Sequence, residues 1–149
     1  MRKALFLTLS LAGLLLTGCS KPQPPIGKWE GGLQSYGSIV VARVEIGANG
    51  LVRVSAPDVT NLDDSKLDVV LNERARLQSD LVNGWSEVKP RPFDFDGKTF
   101  RKPGGVAPQM VWDKATNQMT VEIFIGANPA LPVTLRPVAD FHDDPFGAG

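Results

Sequence analysis

The chain of 149 residues has one cysteine and one histidine. A single thiol excludes an intrachain disulfide, so stability has to come from packing. A single imidazole, His142, leaves the common Ser/His and Cys/His nucleophile arrangements nowhere else to form. An excess of either charge is also missing. Lys and Arg number 16, Asp and Glu number 16, and the formal net charge is zero. That is no basic footprint, which argues against nucleic acid as a partner. Internal repeats are absent. There is no P-loop, and the Gly31-Gly32 and Gly104-Gly105 pairs are too little for a phosphate cradle. One long apolar run exists, Ala4 to Leu16, and it is shorter than the ~20 residues that cross a bilayer as a helix.

That run is the first feature that is present. Arg2 and Lys3 precede it, Thr8, Ser10 and Gly13 interrupt it, and small residues end it. This is the pattern of a secretory signal peptide. Its last residues, Leu16-Thr17-Gly18-Cys19, resemble the lipobox of bacterial lipoproteins. The resemblance implies a diacylglycerol on the Cys19 thiol through a thioether. It also implies cleavage just before Cys19, with Leu16, Thr17 and Gly18 as the cleavage motif, and often acylation of the new amino group. Acyl chains at ~0.8 kcal/mol per buried methylene hold a domain on a membrane almost permanently. Ser20 in second place is similar to the outer-membrane sorting pattern, facing the periplasm.

The expected organisation is a signal peptide over 1–18, a lipidated tether over 19–27, one domain over 28–139 and a flexible tail over 140–149. Arg2 and Lys3 leave with the signal peptide while all acidic residues stay, so the mature formal charge would be −2. Ser20-Lys21-Pro22-Gln23-Pro24-Pro25 favours an extended polyproline chain, about 20 Å long at ~3.1 Å per residue.

Ser38 to Ile46 alternates, with Val40, Ala42, Val44 and Ile46 facing one way and Arg43 and Glu45 the other, as in a half-buried strand. Gly47-Ala48-Asn49-Gly50 is a hairpin turn, and Leu51 to Ala56 resumes the alternation. The period then changes. Leu67, Val70, Leu71, Leu77, Leu81, Val82, Trp85 and Val88 mark one face of an amphipathic helix over about 65–87. Ser65 with Asp68 suggests a capping box, with Asn61 and Asp63 as other candidate caps. Lys89-Pro90 stops the helix.

Phe93 to Phe100 reads as a hairpin turning at Asp96-Gly97, which sets Phe93 opposite Phe100. Gln109–Asp113, Met119–Ile125 and Leu131–Val138 supply three more strands, with turns at 114–117 and 126–129. The fold class expected is mainly β: a small antiparallel barrel or sandwich of about seven or eight strands with one inserted amphipathic helix. Gly27-Lys28-Trp29 resembles the start of a lipocalin or calycin barrel, where the tryptophan plugs one end. No second lipocalin motif follows, and an internal helix departs from that pattern.

The search for chemistry is mostly negative. His142 among Asp140, Asp143 and Asp144 sits on an expected tail, a poor platform for a metal. Asp94 and Asp96 point to solvent. No catalysis, metal or cofactor is expected. Trp29, Val40, Val44, Phe93, Phe95, Phe100, Trp112, Val121 and Ile123 either line an apolar ligand site or fill a core. Two readings follow: a membrane-anchored binder of an apolar small molecule or lipid, or an envelope protein that docks a partner. A hollow barrel favours the first and a filled one the second. The oligomeric state is left open.

Overall fold

Ser38–Ile46 forms the strand on which the rest is assembled. The computed structural model describes residues 20–124 and 130–146. The expected signal peptide, Cys19, Ile125, the turn expected at 126–129 and residues 147–149 lie outside these. Among the described residues, nine antiparallel strands build one curled half-barrel sheet with one long helix on its outer face. In chain order they are β1 (Gly27–Ser35), β2 (Ser38–Ile46), β3 (Val52–Ser55) and β4 (Asp58–Val59). Helix α1 (Leu67–Gly84) follows, with a 3-10 turn over Trp85–Glu87. Then come β5 (Asp94–Phe95), β6 (Thr99–Arg101), β7 (Pro108–Asp113), β8 (Gln118–Ile123) and β9 (Leu131–Val138). The strand order is β3-β2-β1-β9-β8-β7-β6-β5, with β4 also on β2.

β2 is buried on both faces. Val40, Ala42, Val44 and Ile46 enter the half-barrel, as the alternation predicts. Ile39 and Val41 point outward and are equally buried, because α1 covers them with Val70, Leu77 and Leu81. A strand covered on both sides needs apolar residues at nearly every position, and Ile39-Val40-Val41-Ala42 supplies them. Two outward residues seat only part of the helix. Leu67 and Leu71, expected on its buried face, are 67% and 53% exposed. The capping box does not form. Ser65 donates instead to Asp63 Oδ1, through its N–H at 3.1 Å and its hydroxyl at 2.6 Å. The helix start is tied to the β1–β2 turn, where the Gly37 N–H donates to Asp64 Oδ2 at 2.7 Å.

The turn at 47–50 forms as expected. The Gly50 N–H donates to the Gly47 carbonyl at 2.9 Å, and Gly50 takes φ +75°, a left-handed conformation suited to glycine. The aromatic hairpin forms in a different register. Phe95, not Phe93, faces Phe100, with ring centroids 4.5 Å apart. Asp96 sets this register. Its carboxylate accepts the N–H groups of Lys98 (3.0 Å) and Thr99 (2.7 Å) and pairs with Arg101 at 2.6 Å. It therefore closes the turn from outside rather than sitting at its tip.

Arg101 first, and then the two N–H groups, hold the Asp96 carboxyl at about 2, below its ordinary 3.8. A lowered folded-state pKa makes this contribution complete above the ordinary value and lost as pH falls toward about 2. An NMR titration of the Asp96 carboxyl should show its midpoint there. A midpoint at 3.8 would show that the Arg101 contact is not kept in solution.

Residues 140–146, within the expected tail, make contacts with the sheet and the helix. They run back over the outer face of β1 and β2. His142 donates its backbone N–H to Glu30, Asp144 pairs with Arg74 at 3.4 Å, and Pro145 is buried. Phe146 packs on Gly32, where a Cβ would stand 2.4 Å from the ring. The anchor residues are isolated ones with no periodicity between them, so the pattern resembled a frayed end. Before β1, Pro22 lies near Gly97 and Pro24 near Gly50, where an added Cβ would stand 3.6 and 3.8 Å from the proline rings.

Candidate functional site

The nine residues chosen from the sequence come together in one cluster inside the half-barrel. Trp29, Val40, Val44, Phe100 and Val121 are buried, and Phe93, Phe95, Trp112 and Ile123 pack against them half-exposed. Trp29 closes one end. Its indole N–H donates to the Asn117 carbonyl at 2.8 Å, while Trp112 donates to the Asn117 side-chain oxygen at 2.9 Å. Asn117 meets both because the β7–β8 turn holds it at φ +54°. Trp29 is thus both core and plug.

Around Trp29 the described residues pack into one apolar cluster, and two openings border it, one at the mouth and one along a seam. A cavity of about 220 Å³ opens at the mouth, lined by Val54, Phe93, Met110, Val121 and Ile123, with Gln109 and Glu122. Of the nine chosen residues, Phe93, Val121 and Ile123 border it. Val54 and Met110 were not singled out, although both stand at inward positions of predicted strands.

The seam exists because the sheet does not close. β3 and β5 are its two edges. Among the described residues their only backbone link is a bridge from Val52 to Arg91, with hydrogen bonds of 2.9 and 2.8 Å. A groove of about 570 Å³ follows this line, bordered by Val52, Val54, Val88 and Phe93 and by the charged Glu87, Lys89 and Arg91. Val54 and Phe93 border both spaces, so mouth and seam are continuous. Arg53 fixes one wall. It donates to the carbonyls of Val88 (2.9 Å) and Trp85, pairs with Glu45 at 3.1 Å and lies over the Trp85 ring at 4.5 Å. A cation on the last carbonyls of a helix is favourably placed in the helix dipole.

A second polar cluster lies under the C-terminal segment. Glu30 and Arg43 face each other across β1 and β2 and are both buried. Arg43 Nε stands 3.5 Å from Glu30 Oε2, and Arg43 also donates to the His142 carbonyl at 2.5 Å. The Phe141 ring covers the guanidinium at 4.8 Å. Burial pulls the Arg43 pKa below its ordinary value, opposed by the Glu30 carboxylate. The His142 ring is committed to Glu30. At the edge of this cluster Lys28 and Asp140 pair at 2.6 Å, which raises the pKa of the lysine and lowers that of the aspartate. Arg43, on the polar face of an expected half-buried strand, is therefore buried. The C-terminal segment, which carries no period, buries it.

Chemically, the seam offers apolar side chains, flanking charges and two strand edges. Those features bind an extended chain or an apolar group. Comparison with known proteins finds no family model, no curated protein and no solved structure that matches this chain.

Proposed function

We propose that this chain is a lipid-anchored envelope lipoprotein whose half-barrel docks a partner, without catalysis. Cys19 carries the anchor after removal of residues 1–18, and Ser20 favours the outer membrane, with the domain in the periplasm. The close packing of the buried apolar cluster supports docking over carriage. The mouth cavity, about 220 Å³, is smaller than the ~300–1,000 Å³ of ordinary ligand pockets. The larger groove runs along the seam and mixes Val54 and Phe93 with Glu87, Lys89 and Arg91. An extended polypeptide segment suits it, with apolar side chains in the groove and its charges on the flanks. A second reading, a small apolar ligand at the mouth, rests on the five apolar residues there.

One experiment addresses anchor and occupant together: mass spectrometry of the protein extracted from membranes. Under denaturing conditions the N-terminal residue should be Cys19 with acyl mass, and Cys19→Ser should lose that mass. Retention of residues 1–18 with a free thiol would overturn the anchor. Under native conditions a bare protein mass is expected. A small molecule that leaves on denaturation would overturn docking in favour of carriage.

A further inference from the structure

We infer that the end of the half-barrel plugged by Trp29 is the face applied to the lipid surface, with the mouth turned away from it. This rests on the lipid anchor proposed above. The strand pairing assigns every turn to one of two ends. The β2–β3, β5–β6 and β7–β8 turns lie at the Trp29 end, and the β1–β2 and β6–β7 connections and the paired strand ends Ile123 and Leu131 lie at the mouth. The chain enters β1 at the Trp29 end and keeps to it. Pro24 lies near Gly50 of the first of these turns, where an added Cβ would stand 3.8 Å from its ring, and Pro22 near Gly97 of the second, where an added Cβ would stand 3.6 Å away.

The proline segment is therefore part of the domain surface rather than a spacer. Only Ser20 and Lys21 separate Cys19 from Pro22. Three residue steps span at most ~11 Å even when fully extended. The mouth lies a strand length from the Trp29 end, and a six-residue strand such as β8 is ~20 Å long. The anchor cannot bring the mouth to the bilayer unless the prolines detach.

The chemistry of the near end agrees with this. Ile26 is 67% exposed beside the entry to β1. Lys98, Trp112 and Lys114 line one shallow depression with Gly97, and Lys21 precedes Pro22. The Asp96 carboxylate at this end is paired with Arg101, and Asp113 is held by its own turn through Ala115 and Thr116. Lysine and half-buried tryptophan suit an interface of acyl chains and anionic head groups.

The test uses the full lipidated protein in vesicles of phosphatidylethanolamine and phosphatidylglycerol with spin-labelled acyl chains. Acylation blocks the only native thiol, so single cysteines at Lys98→Cys and Tyr36→Cys can each carry a fluorophore. The label at 98 is expected to lose most of its emission and the label at 36 little. A flexible Gly-Ser insert between Lys21 and Pro22, longer than the domain is tall, should erase the difference. Equal quenching without the insert, or stronger quenching at 36, overturns the orientation while the anchor stands. A Cys19 that itself takes the fluorophore is unacylated, and that result overturns the anchor together with the orientation.

Discussion

Replacing Glu30 with alanine is expected to lower the unfolding free energy by about 3–5 kcal/mol, the usual cost of stranding one partner of a buried ion pair. Arg43 stays behind, 4% exposed, with its Nε facing an empty site. The His142 N–H loses its acceptor in the same step. The damage should spread to the C-terminal segment. His142 is the point where that segment is fixed to β1, and Phe141 covers Arg43 and packs edge-on against Trp85 at 4.9 Å. Urea unfolding with limited proteolysis measures both effects, with cleavage expected first in residues 140–146. The double variant Glu30→Leu with Arg43→Met should regain most of the loss, since apolar side chains often replace a buried pair without cost. A loss under ~1 kcal/mol for Glu30→Ala would place the pair among weak, solvated ones.

Trp29→Ala should cost a similar ~3–5 kcal/mol by emptying the closed end of the half-barrel. Thermal melts should fall by about 10–20 °C for a domain of this size. The cost has two parts that a second variant separates. Trp29→Phe keeps one aromatic ring in the apolar cluster across from Val44 and loses the donor to the Asn117 carbonyl together with the indole's second ring, an expected ~1–2 kcal/mol. Asn117→Gly retains the carbonyl and suits the positive φ. It removes only the Trp112 partner, which lies nearer the surface, so its effect should be the smallest of the three. A melt for Trp29→Ala within a few degrees of the native protein would mean that the plug is loosely packed.

Local alternation was enough to locate most of the sheet. β8 and β9 carry Met119, Val121, Val133 and Leu135 inward, with Thr120, Glu122, Thr134 and Arg136 between them, and the structure keeps that division. A period of two is a property of the extended backbone, so it is visible before any partner is known. The helix was visible for the same reason through its period near 3.6. Its exposed Leu67 and Leu71 were not, because amphipathicity says which face is apolar and not how much of that face the sheet can cover.

The candidate site was legible as composition only. Phe93, Val121 and Ile123 were visible as inward apolar residues, yet nothing local distinguishes a residue at a seam from one at a sealed centre. The seam depends on β3 and β5 failing to pair beyond Val52 and Arg91, a relation between segments about forty residues apart. The register of the aromatic hairpin was missed for a nearer reason. Asp96 and Gly97 look like a two-residue turn, but the Asp96 carboxylate gains more by accepting from Lys98, Thr99 and Arg101.

The sequence by itself determined a mainly β chain with one helix, because side-chain periodicity is written residue by residue along the backbone. The tertiary structure alone decided that the sheet is an open half-barrel, and that Glu30 and Arg43 are buried under the C-terminal residues. It also placed the proline segment against the Trp29 end. Each of these depends on contacts between distant segments, and their free energy exists only once both surfaces have left water together.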